Sequence, residues 1–264
     1  MAVARIAFRN VTKRFTGKGR QGEEARVTAI ADVSLEIAEG EVVSLIGPSG
    51  CGKSTLLGMG AGLFLPSEGE VRIDGEPVTG PNGHVAFMLQ KDLLLPWRTI
   101  CDNVELGLAI RGVARAERRR RAGALLARFH LAGFGQHYPH QLSGGMRQRA
   151  AMARTLAVEP TVLLMDEPFS ALDAQTKMVL HQDLARMLVE DGKTALFITH
   201  DLAESVALSD RILVMSARPG TIVETIAVDL PGRGDPMTRR RHPGVGTYLN
   251  RLMELLHVGE DVVH

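Results

Sequence analysis

Residues 47–55, GPSGCGKST, constrain the fold of this chain more than any other segment. They follow a short apolar run, Val42–Ile46, whose β-branched residues predict a buried strand, and they precede a stretch predicted to be helical. A glycine-rich turn between a strand and a helix directs backbone N–H groups and the positive end of the helix dipole at one point. The segment therefore predicts a phosphate-binding loop within an α/β fold.

The pattern G-x-x-x-x-G-K-[ST] assigns separate roles to its last polar residues. Lys53 is expected to reach the β- and γ-phosphates of a nucleotide, and the Ser54 hydroxyl to hold Mg²⁺. Lys53 and the helix N-terminus also predict a reactive Cys51 thiol, which a maleimide would label and Mg-ATP would protect. The alternative is that Cys51 is a small buried residue that reagents cannot reach. The predicted nucleotide-binding residues of the loop are Gly47, Pro48, Ser49, Gly50, Cys51, Gly52, Lys53, Ser54 and Thr55.

Further strands are predicted where short apolar runs recur, at residues 162–165, 195–199 and 212–215. Helical patterns separate these runs, and residues 100–158 are predicted to be mainly helical. One helix face there consists of Ala122, Leu125, Leu126 and Phe129. This order predicts an α/β core with a parallel sheet, interrupted by a helical insertion.

Two glycine-rich segments carry local predictions. Residues 16–26 are rich in glycine and charge and are predicted to form a surface loop. The helix after the phosphate loop is predicted to contain Gly58, Gly60 and Gly62. Because each interior glycine costs about 1 kcal/mol relative to alanine, tight packing is expected as compensation.

Two adjacent acids end the apolar run VLLMDEP at residues 162–168. Neighbouring side chains on a strand point to opposite sides, so the two acids can act separately. Asp166 suits the coordination shell of Mg²⁺, and Glu167 suits polarising a water molecule. Without the other motifs, a structural salt bridge would explain the two acids equally well. Beside a phosphate loop, the metal-binding and water-polarising roles are favoured, because buried acids need such a reason.

A third segment, LSGGMRQR at residues 142–149, opens a predicted helix. Ser143 is a natural N-cap, and Gly144 and Gly145 allow another backbone to approach closely. On physical grounds alone this segment is an ordinary capped helix start.

Charge and composition exclude several classes of protein. A formal net charge of +1, from 31 Lys+Arg and 30 Asp+Glu, argues against a dedicated nucleic-acid binder. The first ten residues contain no apolar run of signal-peptide length, and no 18 apolar residues run together, so we expect neither a signal peptide nor a membrane span. Cys51 and Cys101 form no metal-ligand spacing and fit a reducing cytosol. If a membrane is involved, a partner must supply the pore.

In combination these motifs resemble the ABC ATPase family over nearly the whole chain. LSGGMRQR is similar to the family's signature, Gln90 after a strand to its Q-loop, SALD ending at Asp173 to its D-loop, and His200 in ITHD to its switch histidine. The resemblance implies a RecA-like P-loop NTPase core at about 1–90 and 160–230. It also implies a helical signature subdomain at about 91–159. The core and this subdomain together would make an ABC ATPase domain at 1–230, followed by a C-terminal tail at 231–264.

The resemblance also implies residue roles that spacing cannot show. Glu167, His200 and Gln90 would be catalytic, with Gln90 also contacting the metal beside Ser54 and Asp166. Two copies would stack head to tail, so that Ser143, Gly144 and Gly145 of one copy face the ATP of the other and Asp173 acts across the interface. Phe15 would stack on adenine.

Two segments are similar to the ATPases of nitrate-, sulfonate- and taurine-type importers, namely residues 90–97, QKDLLLPW, and residues 215–222, MSARPGTI. This similarity implies a membrane permease, a solute-binding protein and a peripheral position at the cytoplasmic face of the membrane. The alternatives are an exporter subunit and a non-transport ABC ATPase. A GTPase switch would need N-K-x-D, which the sequence lacks.

Two arginine runs, 118–121 and 239–241, have two readings. Either they are a solvated helix face and tail, or they contact anionic lipid headgroups.

Overall fold

The computed structural model describes residues 4–18, 24–170 and 172–257. The strands in this part of the chain are β1 (Ala4–Lys18), β2 (Glu24–Ala38), β3 (Val42–Ile46), β4 (Glu68–Ile73), β5 (Glu76–Pro77), β6 (Val85–Met88), β7 (Val162–Asp166), β8 (Thr194–Ile198), β9 (Arg211–Met215) and β10 (Ile222–Ala227). The helices are α1 (Lys53–Gly60), α2 (Ile100–Val104), α3 (Leu106–Ile110), α4 (Arg115–Arg128), α5 (Gly144–Leu156), α6 (Ala174–Glu190), α7 (Leu202–Leu208), α8 (Pro236–Arg239) and α9 (Val245–Leu255), with a 3₁₀ turn at Pro139–Gln141.

A six-stranded sheet in the order β10-β9-β3-β8-β7-β6 forms the centre of the fold. The four pairings from β9 to β6 are all parallel, and β10 runs antiparallel to its neighbour β9. The strands β3 and β8 are buried along their whole length, as expected for a parallel sheet covered on both faces. The predicted parallel α/β core is confirmed.

A second sheet, antiparallel and ordered β2-β1-β4-β5, was not predicted as a separate layer. Its first two strands form a long hairpin that extends through the pairs Thr16↔Arg26, Gly17↔Ala25 and Lys18↔Glu24. The prediction of a loop is therefore wrong at 16–18 and 24–26, while residues 19–23 lie outside the described residues. Cross-strand pairing overrides the weak strand propensity of this charged, glycine-rich segment.

The helix α1 packs as closely as its glycines predict. A Cβ atom on Gly58 would lie 2.7 Å from the Phe64 ring, and one on Gly60 would lie 3.2 Å from Leu164 and Phe8. Gly62 is not in the helix, contrary to the prediction. It follows the C-cap with φ 71°, and its N–H donates to Met59 O at 3.1 Å, so glycine here supplies the left-handed residue that ends a helix.

The stretch between β6 and β7 holds α2 to α5 and confirms the predicted helical insertion. Ala122, Leu126 and Phe129 are buried, and the partly buried Leu125 packs against the same core. In the described residues no helix combines the length and the apolar character needed to cross a bilayer. The boundary of a subdomain at 91–159 remains a prediction.

The arginine run 118–121 is used within the protein. Its first two guanidinium groups lie 3.3 and 3.4 Å from the buried carboxylate of Glu105. Its last two pair with Glu117 at 2.7 and 2.6 Å. The two pairs with Glu105 tie α4 to the end of α2, and the two pairs with Glu117 lie within α4.

Within the described residues after 230, the helices α8 and α9 are anchored by a buried arginine. Arg239 is 2% exposed. Its Nη1 donates to Ser209 O at 2.8 Å and its Nη2 to Val228 O at 3.1 Å. Burial lowers the pKa of the Arg239 guanidinium. The first residue of this arginine run is therefore a structural anchor between the C-terminal helices and the central sheet.

We expect Arg239→Ala to lower the free energy of unfolding by about 3 kcal/mol, because two buried carbonyl groups would each lose a donor. Urea denaturation of the purified protein measures this difference. The exposed Arg241 provides the matched control, and Arg241→Ala should change stability by less than about 0.5 kcal/mol. Equal effects of the two substitutions would contradict the anchoring role.

Candidate nucleotide-binding site

The phosphate loop joins β3 to α1 and borders an open cavity of about 230 Å³. Gly52 begins the helix with φ 111°, and a Cβ atom there would lie 2.6 Å from Ile30 Cδ1 and 2.8 Å from Ala29 O. Only glycine therefore allows this turn. Six of the nine predicted loop residues line the cavity, and its lining is Ser49, Gly50, Gly52, Lys53, Ser54, Thr55, Glu167 and Arg218.

Lys53 folds back on the loop that it serves. Its Nζ donates to Gly47 O at 2.8 Å and to Pro48 O at 2.9 Å, so the ammonium group lies where the loop carbonyls meet. In the described part of the chain no carboxylate lies within ion-pair distance of Lys53. The ammonium group therefore borders the cavity without a close ion-pair partner.

Cys51 faces the core, and its predicted reactivity is wrong. The residue is 1% exposed and belongs to the apolar cluster beneath the loop. The loop backbone wraps around the thiol, which packs as a small hydrophobic side chain out of reach of a maleimide.

The three predicted catalytic residues meet at the ends of neighbouring strands, where Gln90 and His200 both contact one carboxylate oxygen of Glu167. Gln90 Nε2 donates to Glu167 Oε2 at 2.8 Å, and His200 Nδ1 lies 3.4 Å from the same oxygen. Glu167 itself has φ 46°, an unfavourable backbone conformation for a residue with a side chain. The surrounding structure thus holds the Glu167 carboxylate in one place.

Two of the three predicted metal ligands, Asp166 and Ser54, lie close enough for Ser54 to affect the pKa of Asp166. Burial raises the pKa of the Asp166 carboxyl, the nearby Glu167 raises it further, and the donating Ser54 hydroxyl and Lys53 oppose this shift. Hydroxyl and carboxylate oxygens are hard donors that suit Mg²⁺. Among residues 4–18, 24–170 and 172–257, no group of three or more His, Cys, Asp or Glu side chains could hold a metal alone. A metal here would depend on oxygens from its ligand's phosphates.

Glu167 also lines a second, larger cavity of about 730 Å³. This cavity lies between the central sheet and the helical insertion, and its lining is Gln90, Lys91, Asp92, Leu93, Leu94, Gly144, Arg147, Gln148, Glu167, Ser170 and His200. Trp97, on the segment that continues from this lining, is 71% exposed. The Glu167 carboxylate therefore stands between a phosphate cavity and a surface with exposed apolar side chains.

The predicted signature lies at the start of α5 and packs against the start of α6. Ser143 caps α5 by accepting from Met146 N at 3.3 Å. A Cβ atom on Gly145 would lie 2.8 Å from Thr176 Cγ2. Of the described residues that line the phosphate-loop cavity, none belongs to the signature.

Asp173 caps α6 and is the part of the predicted D-loop that the structure fixes. Its carboxylate accepts from Thr176 N at 3.0 Å and from Thr176 Oγ1 at 2.6 Å. These hydrogen bonds lower the pKa of the Asp173 carboxyl. The residue is therefore ionised and holds the end of α6 beside the signature.

Phe15 lies on the hairpin of the antiparallel sheet. Its ring is 42% exposed and meets the Phe64 ring edge-on at a centroid distance of 5.8 Å. Lys13 Nζ lies 5.3 Å from the Phe15 ring centre. Contact of Phe15 with adenine remains a prediction.

An ion-pair network behind the site was missed by sequence reasoning. Lys177 on α6 contacts Asp201 at 2.7 Å and Glu204 at 2.8 Å, and Asp201 directly follows His200 in the chain. Burial alone would raise the pKa of Asp201, but Lys177 lowers it below its usual range. The network fixes the His200 loop relative to α6.

The buried His181 extends this network to the C-terminal helices. Arg240 Nη2 donates to His181 Nδ1 at 2.8 Å, so Nε2 carries the proton and donates to Glu204 Oε2 at 3.1 Å. Burial lowers the pKa of His181, which is therefore neutral. No motif points to this histidine, and only its side-chain partners reveal it. Arg218 in the phosphate-loop cavity likewise escaped notice, although its segment, residues 215–222, had been singled out.

Comparison with known proteins shows the family to which this chain belongs. Residues 30–170 match the family model described as ABC transporter. An ABC transporter ATP-binding protein of Methanocaldococcus jannaschii, itself uncharacterised, is 45% identical over 86% of this chain and 83% of its own length. The taurine import ATP-binding protein TauB of Yersinia pestis is 46% identical over 79% of this chain and 83% of its own length.

Two solved structures have the same fold. A dimeric ATP-binding cassette in a post-hydrolysis state with ADP and Pi has a TM-score of 0.74 and 36% identity, over 84% of this chain and 98% of the cassette. A dimeric bacterial ABC transporter cassette has a TM-score of 0.75 and 36% identity over the same shares. The predicted RecA-like α/β fold is confirmed, and this chain belongs to the family of ABC transporter ATP-binding proteins.

Proposed function

We propose that this chain is the ATP-hydrolysing subunit of an importer and that it works in a head-to-tail dimer with a second copy of itself. The observation that carries this proposal is the convergence of Gln90 and His200 on the Glu167 carboxylate beside the phosphate loop. That arrangement suits a residue that orients a water molecule for attack on a phosphoryl group.

The chain's own residues have distinct tasks in this reaction. The loop N–H groups and Lys53 hold the phosphates of ATP, and His200 contacts the terminal one. Gln90 binds Oε2 of Glu167, which leaves Oε1 of Glu167 to accept a proton from water. Ser54, Asp166 and Gln90 would hold Mg²⁺, which neutralises phosphate charge when bound. Phe15 offers an exposed aromatic surface for adenine.

A second copy completes the site in this proposal. Ser143, Gly144 and Gly145 do not line the phosphate-loop cavity of their own chain, and both solved cassettes with this fold are dimers. The signature of one copy would therefore close over the ATP of the other, with Asp173 acting across the interface.

The proposed direction of transport rests on a relative, and the proposed permease partner rests on an exposed surface. TauB of Yersinia pestis, 46% identical, is named a taurine import protein. Trp97, Leu93 and Leu89 are exposed near Gln90, and apolar residues grouped around the larger cavity suit contact with a permease. We therefore propose a permease partner with a solute-binding protein, a peripheral position at the cytoplasmic face of the membrane, and a small solute such as taurine, a sulfonate or nitrate.

The first test is Glu167→Gln, which should bind ATP and hydrolyse it about 10²–10⁴-fold more slowly, because the proton acceptor is lost. The variant should collect as an ATP-bound dimer on size-exclusion chromatography. Glu190→Gln, at the far end of α6, is the matched control and should keep full activity. Near-normal hydrolysis by Glu167→Gln would refute the assignment.

The second test concerns the composite site. Lys53→Ala and Ser143→Arg subunits should each be inactive alone and partly active when mixed, since in a mixed dimer both lesions fall in one site and the other site is whole. Differently tagged subunits allow the mixed dimer to be purified and its ATPase activity measured. Mixed dimers that form without activity would contradict a site shared between copies.

The third test uses the raised pKa of Asp166. A carboxyl whose folded-state pKa lies above its unfolded value costs stability once it ionises, so this cost is present at neutral pH and disappears below the unfolded pKa. We expect Asp166→Asn to abolish hydrolysis and to leave the melting temperature of the nucleotide-free protein equal or higher at pH 7.

Asp201→Asn is the control for this third test, because it should change the melting temperature in the opposite direction. Lys177 lowers the pKa of Asp201, so its ionised form stabilises the fold at neutral pH and its loss should lower the melting temperature. A large destabilisation by Asp166→Asn at pH 7 would show that Asp166 serves the fold rather than the metal.

A further inference from the structure

The loop between β9 and β10, residues 216–221, packs directly against the phosphate loop. Gly220 N donates to Ala29 O at 2.9 Å, and Ala31 N donates to Gly220 O at 3.1 Å. A Cβ atom on Gly220 would lie 2.0 Å from the carbonyl oxygen of Cys51, so only glycine permits this approach. These contacts fix residues 216–221 beside the loop that binds phosphate.

Arg218 is the side chain that this loop brings to the site. Its Nε donates to Gly50 O at 3.1 Å, and its Nη2 lies 3.8 Å from the place of a Cβ atom on Gly50. A guanidinium group has five N–H donors, and Gly50 O is the one acceptor that the described residues provide. The other donors border the same cavity as Lys53 and Ser54.

Arg218 forms no ion pair with the described part of the protein. No carboxylate there lies within ion-pair distance of it, in contrast to Arg251, which pairs with Glu224 at 2.6 Å. Lys53, on the same cavity, also lacks an acid partner. Two cations without a close acid partner thus border one small cavity, which Glu167 also lines, and a polyphosphate between the two cations would be attracted by both.

We infer that Arg218 is a second phosphate-binding residue, which holds the polyphosphate of a nucleoside di- or triphosphate together with Lys53 of the same chain. The inference rests on the proposed ATPase function and adds a residue to it. A planar guanidinium group donates two parallel hydrogen bonds to phosphate oxygens, whereas an ammonium group acts as a point charge. The contact of Nε with Gly50 O orients the group for this role.

The test compares Arg218→Gln and Arg218→Lys with the wild-type chain in calorimetric titrations with Mg-ATP and Mg-ADP. The glutamine amide can still donate a hydrogen bond but carries no charge, so we expect about tenfold weaker binding, which corresponds to about 1.4 kcal/mol. The lysine variant should recover part of this loss. The salt dependence of binding should be weaker in Arg218→Gln, because one fewer cation faces the phosphates. Arg251→Gln, remote from the cavity lining, should bind as the wild type does.

Two results would overturn the inference. One is Mg-ATP binding by Arg218→Gln within twofold of the wild type. The other is a loss of affinity in step with a lower melting temperature of the nucleotide-free protein and without rescue by lysine, which would mean that Arg218 only braces the loop. A wild-type chain that fails to bind Mg-ATP would instead refute the proposed function, and the inference with it.

Discussion

The parallel pairing of β3, β8 and β7 brings the chemical groups of this protein to one edge of one sheet. Leu45 and Asp166 both pair with Ile198, so the three strands end at the same level. Parallel strands must be joined by long crossovers, and segments far apart in sequence therefore meet where the strands end. The phosphate loop, the Asp166–Glu167 pair and His200 follow these three ends, and their mutual distances depend on the sheet's register.

The residues at this edge of the sheet lower the stability of the fold, and they also carry the proposed chemical roles. Asp166 is buried with a raised pKa, and Glu167 has a left-handed backbone conformation. Cations at Lys53 and Arg218 lack acid partners among the described residues. Such features persist where the surrounding structure holds them, and they are typical of sites that act on charged ligands. The apolar cluster that packs against α1 and the anchored C-terminal helices contribute stability that offsets these costs.

Much of this site could be predicted because its signals are local in sequence. The spacing within residues 47–55 specifies a turn, a helix start and two polar roles, and the run before Asp166 specifies a buried strand. The structure brings Gln90, His200 and Glu167 together, as the family resemblance implied. Their chemical roles remain proposals.

The features that escaped prediction depend on contacts between distant segments. The Arg239 anchor requires carbonyl groups from two other elements, and the neutral state of His181 requires Arg240 and Glu204. Cys51 was predicted to be reactive from its charged neighbours, but the direction in which a loop side chain points follows from packing. The hairpin at 16–18 and 24–26 forms through pairing that neither segment's composition favours.

The position of Glu167 between two cavities has a consequence for how information passes through the molecule. One of its carboxylate oxygens accepts a hydrogen bond of 2.8 Å from Gln90, which also lines the larger cavity. A protein segment that enters that cavity and competes for the Gln90 amide changes the environment of the Glu167 carboxylate, the proposed catalytic group, without any relay of intervening residues. Thermodynamic linkage then requires the reverse effect of equal size, so that a nucleotide in the phosphate cavity alters the affinity for that segment by the same factor. The Glu167 side chain is thus both the proposed catalytic group and the point through which the two cavities affect each other.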